Sequence, residues 1–289
     1  MQSDIIIVGA GAAGSFAALV AAQMGKTVTV FEKNDFIGRK LRITGKGRCN
    51  LTNNCSTQEL LNNVPVNSRF LYSAFSAFNS QDVMDFFENL GVSLKTERGN
   101  RVFPVSDNAA EIVDALANAL RQYGVKIIHK RVTSLIIQSG VCIGVRAGDT
   151  EYSSNSVLIA CGGKSYPVTG STGDGYMLAE SAGHSITPTY PSLVPLVSVE
   201  KYCSELMGLS LRNVVVKLFD HDKLIYSELG EMLFTHFGVS GPLILSASSH
   251  MREMEKGRYK LLIDLKPALD EKKLDERIQR DFAENQNRD

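Results

Sequence analysis

The chain has 289 residues, 44% of them hydrophobic and 21% charged, a balance that suits a globular protein with buried cores and room for two domains. Lys plus Arg equals Asp plus Glu at 31 each, so the net charge is zero, whereas a dedicated nucleic-acid binder carries a basic excess. The five cysteines (Cys49, Cys55, Cys142, Cys161, Cys203) include no CxxC pair, which excludes a dithiol redox motif, leaves no metal expected, and fits reduced thiols in a cytoplasmic protein.

In chain order, residues 4–8 form a short Ile/Val run of the kind buried on both faces of a parallel sheet. "GAGAAG" follows at once, so the apolar N-terminal stretch is glycine-broken and reads neither as a secretory signal nor as a membrane span. "SFAALVAAQM" reads as a small-residue helix stopped by Gly25, and "TVTVF" as a second strand ending at Glu32, which together make a βαβ unit. A basic, glycine-rich stretch, "GRKLRITGKGRCN", occupies residues 38–50. Residues 80–91 are expected as a helix with Ser80 as its cap, and residues 106–124 as another, with Asn108 and Glu111 as a capping box and Ile112, Leu116 and Leu120 as its apolar stripe. The series Tyr72, Phe75, Phe78 spaces as a buried helix face.

"VKIIHKRV" is the next strand, with Val132 at its end. An antiparallel meander is expected over residues 133–155, then a separate buried strand, "SVLIACGG", and a short helix closed by Gly183. Three prolines in "PTYPSLVPL" mark a domain junction, dividing the chain into residues 1–188 and 189–289. The second part is mainly β, with "NVVVKLFD", "KLIYSE" and "GRYKLLIDL" as strands and a charged helix from about residue 269 to the end that carries Leu274, Ile278 and Phe282 on one side. The fold class is α/β, a Rossmann-like domain with a parallel sheet plus antiparallel meander.

The first chemistry lies in GxGxxG. It follows a strand, opens a helix and is followed by an acid at the end of the next strand, the context a dinucleotide site requires. Gly9 permits the tight turn, Gly11 removes a side chain where a pyrophosphate must touch backbone, and Gly14 lets helix and strand pack. Ala12 and Ala13 open the helix, whose free N–H groups attract phosphate, and Glu32, with Lys33 beside it, stands where a carboxylate accepts ribose hydroxyls. The basic stretch is not a P-loop: six residues separate Gly38 from Gly45, and Gly47 rather than a hydroxyl residue follows Lys46.

"GRKLRITGKGRCNLTN" just after a GxGxxG unit resembles a bacterial flavoprotein family, the aminoacetone-oxidase-like or BaiN-type FAD/NAD(P)-dependent oxidoreductases. "RVFPVSDNAAEIVDAL", "ACGGKSYPVTGSTGDGY", "PSLVPL" and "MLFTHFGVSGP" support the resemblance in the same order, across essentially the whole chain. It implies FAD extended across a glutathione-reductase-type fold. Gly38, Arg39 and Lys40 would then cover the adenosine and phosphates, and Gly45, Gly47, Arg48, Cys49 and Asn50 would run toward the flavin. Val132 would meet adenine through its backbone, and Ala160, Gly162 and Gly163 would match an "ATGG" segment in which Cys161 replaces Thr as a structural residue. Asp174, in "STGDG", would sit in a turn similar to one of fumarate-reductase-like flavoproteins, on the flavin or substrate side. In that fold an inserted mainly-β substrate domain precedes a C-terminal return segment; none is recognised here, so this chain is expected to stop inside the inserted domain and to hold FAD poorly alone.

The implied function is an FAD-dependent oxidoreductase passing a hydride between flavin and a small organic substrate. Reduction of an activated C=C bond with NADH or NADPH as donor stands beside amine oxidation by dioxygen, and beside an RNA-modifying flavoprotein or an inactive remnant. His236, Tyr166, Lys164 and Arg101 are the catalytic candidates, each open to a structural reading as interface, surface or ion-pair residue, while His129, His184, His221 and His250 read as structural. No membrane partner is expected, and oligomeric state is not legible.

Overall fold

The computed structural model describes residues 2–284, so the last five residues of the expected terminal helix lie outside it. The chain divides into two compact units, residues 1–187 and 188–289. Unit 1 runs β1 (Gln2–Val8), α1 (Ala12–Gln23), β2 (Val28–Phe31), a kinked 3-10 segment (Leu41–Gly47), β3 (Thr52–Asn53), α2 (Thr57–Asn62), α3 (Tyr72–Ala77) and α4 (Ser80–Asn89). It continues through β4 (Leu94–Glu97), β5 (Arg101–Pro104), α5 (Ala109–Gln122), β6 (Lys126–Ile128), β7 (Val132–Gln138), β8 (Val141–Ala147), β9 (Thr150–Ile159) and α6 (Asp174–Ser181).

The main sheet has the order β6-β2-β1-β9-β8-β7. β6, β2, β1 and β9 are parallel, with Ile5 of β1 opposite Val28 of β2 and Ser156 of β9. The apolar run of β1 is buried on both faces because its side chains alternate between two cores. Ile7 and Val30 pack with α1 and α5 residues such as Leu19, Ile112 and Leu116. Ile6, Val8 and Phe31 pack on the other face with Val132, Val145 and Leu178.

Several local expectations change. β9 is one strand, not two: Thr150–Ser153 pair antiparallel with β8, and the same strand continues parallel to β1 as far as Ile159. β6 ends at Ile128, and Val132 begins β7 rather than closing the strand before it. The cap of α4 is Asn79, in a reciprocal box with Asp82, rather than Ser80. Asn108 caps α5, but Glu111 bonds the Ser106 hydroxyl instead of completing a box. Tyr72 is exposed, whereas Phe78 packs on Phe16 with ring centroids 4.6 Å apart. A small sheet, β3-β5-β4, was not legible in the sequence.

Unit 2 holds β10 (Leu196–Val197), α7 (Tyr202–Glu205), β11 (Ser210–Asp220), β12 (Lys223–Thr235), β13 (Gly238–Ser240), α8 (Pro242–Ser248), β14 (Tyr259–Asp264) and α9 (Glu271–Glu284). Its antiparallel sheet, β10-β13-β12-β11-β14, buries Val214, Val216, Met232 and Phe234 against Leu243 and Ile244 of α8. α9 buries none of its residues, and Ile278 and Phe282 are exposed.

Candidate functional site: a cleft at the start of the first helix

The β1–α1 turn is held by backbone contact. Gly9 has φ +108°, and a Cβ there would lie 2.5 Å from the Ala160 carbonyl oxygen. A Cβ at Gly14 would lie 1.9 Å from the Gly9 carbonyl oxygen, so helix and strand approach too closely for any side chain. At Gly11 nothing lies within 4 Å of the added atom. α1 begins there with no side-chain cap and no acid in its first turn. Its first N–H groups therefore have no capping side chain, and its positive end carries no compensating acid.

A cleft of about 350 Å³ opens at this point, within the size range of small-molecule sites. Glu32, 7% exposed, stands in its wall. Its carboxylate accepts from the Ala10 N–H at 2.9 Å, from the Asn34 N–H at 2.9 Å and from the Asn34 amide at 2.7 Å. Gly38 N–H donates to the Ala10 carbonyl at 2.8 Å, which fastens the basic stretch beside the turn. Arg39 and Lys40 thereby join the cleft wall. Arg39 donates to the Asn34 side-chain oxygen at 3.0 Å, and Lys40 to the Ser165 carbonyl at 2.8 Å; partial burial lowers the pKa of Lys40.

The lining also carries a charge cluster. Arg131 grips Asp174 with two bonds, Nε at 3.0 Å and Nη2 at 2.9 Å, while Lys33 Nζ lies at 3.1 Å and Thr172 donates at 2.9 Å. Burial by itself raises the Asp174 carboxyl, but the bonds from Arg131, Lys33 and Thr172 outweigh it and hold the group at about 2. Burial, followed by the nearby Asp174 charge, pushes the Cys161 thiol up to about 11. Cys161 is thus a neutral thiol at physiological pH, as a structural residue would be.

The cleft brings together Gly9, Gly11, Ala12, Ala13, Glu32, Lys33, Gly38, Arg39, Lys40, Val132, Ala160, Gly162 and Asp174 of the expected set. Gly14 lies behind it as a packing glycine, and Gly163 is not in its wall. Gly45, Gly47, Arg48, Cys49 and Asn50 are not in the wall either; Cys49 and Asn50 border a second, smaller cavity. Arg48 lies over the Phe103 ring at 3.9 Å and pairs with Glu97 at 2.9 Å and Asp107 at 3.1 Å. Arg48→Ala is expected to lower the melting temperature by a few degrees, because it removes these three contacts, and thermal denaturation checks it.

Among the catalytic candidates, Lys164 lies 5.6 Å from the Tyr176 ring centre, Tyr166 is exposed with left-handed backbone, and Arg101 Nε donates to the Arg98 carbonyl. His236 belongs to unit 2, its ring 4.9 Å from Phe237. Asn34, Arg131 and Thr172 were missed; Asn34 and Arg131 each adjoin a predicted residue, which was the available signal. Among the described residues, no group of His, Cys, Asp or Glu is placed to hold a metal ion, and no helix is long and apolar enough to cross a membrane.

A strand–glycine turn–helix unit with an uncapped helix start and a fixed acid at the end of β2 defines a Rossmann-like α/β domain of the FAD-binding type. The model of the HI0933-like protein Rossmann domain matches residues 3–256, and the chain belongs to that family, the one its BaiN-type motifs indicated. It is 31% identical over 273 residues to the 3-dehydro-bile acid delta(4,6)-reductase of Clostridium scindens, covering 93% of this chain and 66% of that one. It is 33% identical over 266 residues to the ribosomal RNA dihydrouridine synthase of Haemophilus influenzae, covering 90% and 64%. The chain therefore spans about two thirds of the length of these curated relatives, 66% and 64%. The fold is similar to that of a flavocytochrome c3 fumarate reductase, with a TM-score of 0.53 and 19% identity over 73% of this chain and 47% of that one. It is also similar to 3-ketosteroid delta1-dehydrogenase from Sterolibacterium denitrificans, with a TM-score of 0.52 and 15% identity over 73% and 62%.

Proposed function

We propose that the chain binds FAD and serves an oxidoreductase that reduces a C=C bond conjugated to a carbonyl, with NADH or NADPH as electron donor. The observation that carries the reading is the cleft itself: an uncapped helix start, open space at Gly11 and a fixed Glu32 carboxylate in one wall. These fit the pyrophosphate and adenosine ribose of FAD. The names of the relatives support the reaction class, since a delta(4,6)-reductase and a dihydrouridine synthase both reduce a C=C bond in conjugation with a carbonyl.

When bound, FAD supplies hydride transfer at its N5. The residues of this chain bind and orient it: Glu32 takes the ribose hydroxyls, Ala12 and Ala13 offer N–H groups to the phosphates, and Arg39 and Lys40 add positive charge beside them. A reduced C=C bond also needs a proton, and Tyr166, Lys164 and Arg101 of unit 1 are the side chains proposed to supply or position it. Gly45, Gly47, Arg48, Cys49 and Asn50 remain the proposed approach to the flavin.

Arg39→Ala is expected to weaken FAD binding about tenfold, on the order of 1.4 kcal/mol, because it removes a cation from the cleft wall. Arg42→Ala should leave affinity within about twofold, because Arg42 pairs with Asp114 at 3.0 Å and is not in that wall. Equal losses in a flavin-fluorescence titration would contradict the assignment.

A second reading places the C=C bond in a uracil ring of RNA. The dihydrouridine synthase relatives favour it, and the zero net charge weighs against it. Anaerobic titration separates the readings of the reaction. Bleaching of the flavin band by NADH or NADPH, and its return on adding a conjugated enone, supports the reductase. Bleaching by an amine alone would replace it with an amine oxidase, and return of the band with RNA but not with the enone would favour the second reading.

A further inference from the structure

The second cavity, of about 180 Å³, adjoins the cofactor cleft within unit 1 and shares Ala12 and Leu41 with it. Apart from Asn50 its wall is hydrocarbon and one buried thiol, Cys49. Phe16 meets Phe78 at 4.6 Å and Phe86 at 5.2 Å between ring centres, and Phe86 meets Phe87 at 5.1 Å, almost edge-on at 88°. These tilted and edge-to-face contacts hold the rings together as an aromatic part of the wall. Native cores close around their side chains and keep few voids larger than a water molecule. A space of this size lined by aliphatic and aromatic carbon favours an apolar guest of about benzene size over water.

We propose that this cavity seats an apolar ring of the substrate, a carbocycle or aromatic ring of about six carbons, with the conjugated carbonyl toward Asn50 and the shared wall at Ala12 and Leu41. The inference rests on reading the neighbouring cleft as the FAD site. It narrows the substrate to a compound with a hydrocarbon ring and disfavours sugars, phosphorylated metabolites and uracil. The polar edges of such molecules would meet only one amide in the wall and would lose their hydration without replacement. Cys49, 1% exposed at φ +60°, contributes a neutral wall rather than a nucleophile, since burial raises its thiol.

The test uses fluorobenzene and 1-fluoronaphthalene as probes, followed by fluorine NMR on the purified chain, with FAD uptake measured in the same samples. Saturable fluorobenzene binding is expected, at least tenfold weaker in Val83→Phe, which fills the cavity from α4. Phe86→Ala, which enlarges it, is expected to admit 1-fluoronaphthalene that the parent chain excludes, and it decides the matter if Val83→Phe does not fold. Unsaturable fluorobenzene binding, a folded Val83→Phe that binds as the parent does, or no gain in Phe86→Ala would each overturn the inference. FAD uptake without fluorobenzene binding overturns the cavity and leaves the cofactor reading standing. Fluorobenzene binding in a chain that takes up no FAD even at the highest soluble FAD concentration overturns the cofactor reading and, with it, the substrate role.

Discussion

Gly11→Ala is expected to fold like the parent chain and to lose FAD affinity about 100-fold, on the order of 3 kcal/mol, whereas Gly14→Ala is expected to lose the fold's stability first. The difference follows from what each new methyl group meets. At Gly11 nothing lies within 4 Å, and its φ of −77° admits an L side chain, so the fold tolerates the change. Loss of a favoured residue at the helix start costs within about 1 kcal/mol. The methyl group instead occupies the space through which a pyrophosphate reaches the free N–H groups of α1. At Gly14 the methyl group would lie 1.9 Å from the Gly9 carbonyl oxygen, which is backbone and cannot turn aside. Relief requires α1 to move off β1, opening the core around Ile7 and Leu19, at a cost of about 3 kcal/mol or more. Urea denaturation and FAD titration on both variants check the pair. Equal stability losses, or FAD binding retained in Gly11→Ala, would contradict the geometry.

Asp174→Asn is expected to lower stability by about 2 kcal/mol at neutral pH, because it removes the acceptor of charge-assisted bonds from Arg131 and Lys33. The pH dependence carries the sign. Asp174 titrates near 2 in the folded chain against 3.8 as its ordinary value. Its contribution is therefore complete above about pH 4 and is lost as the pH falls toward 2. The stability gap between parent and variant should be constant above pH 5 and narrow below pH 4. A gap that is absent at pH 7, or that widens on acidification, would contradict the network.

The βαβ unit was legible because its signals are local. A both-faces-buried strand, three spaced glycines and an acid at the end of the next strand lie within residues 4–32. Glu32 was found by spacing alone, and the structure puts it in the cleft wall. The Asp174 cluster was not legible, because its partners Arg131 and Lys33 lie 43 and 141 residues away and only the packing of α6 brings them together. β9 was divided in two because its character changes where its neighbour changes, from the exposed meander to the buried sheet. Asn79 was overlooked as the α4 cap because Ser80 beside it is also a capping residue type. The cavity edged by Cys49 and Asn50 is lined by Phe16 of α1, by Phe78, by Phe86 and Phe87 of α4, and by Ile112 and Leu116 of α5, and no spacing rule in the chain announces it.

Amide hydrogen exchange with and without FAD tests most directly whether FAD lies along the start of α1. The predicted result is FAD-dependent protection of residues 11–14 and 38–40 in unit 1. Saturating FAD that leaves those amides unprotected, or that protects unit 2 alone, would contradict it.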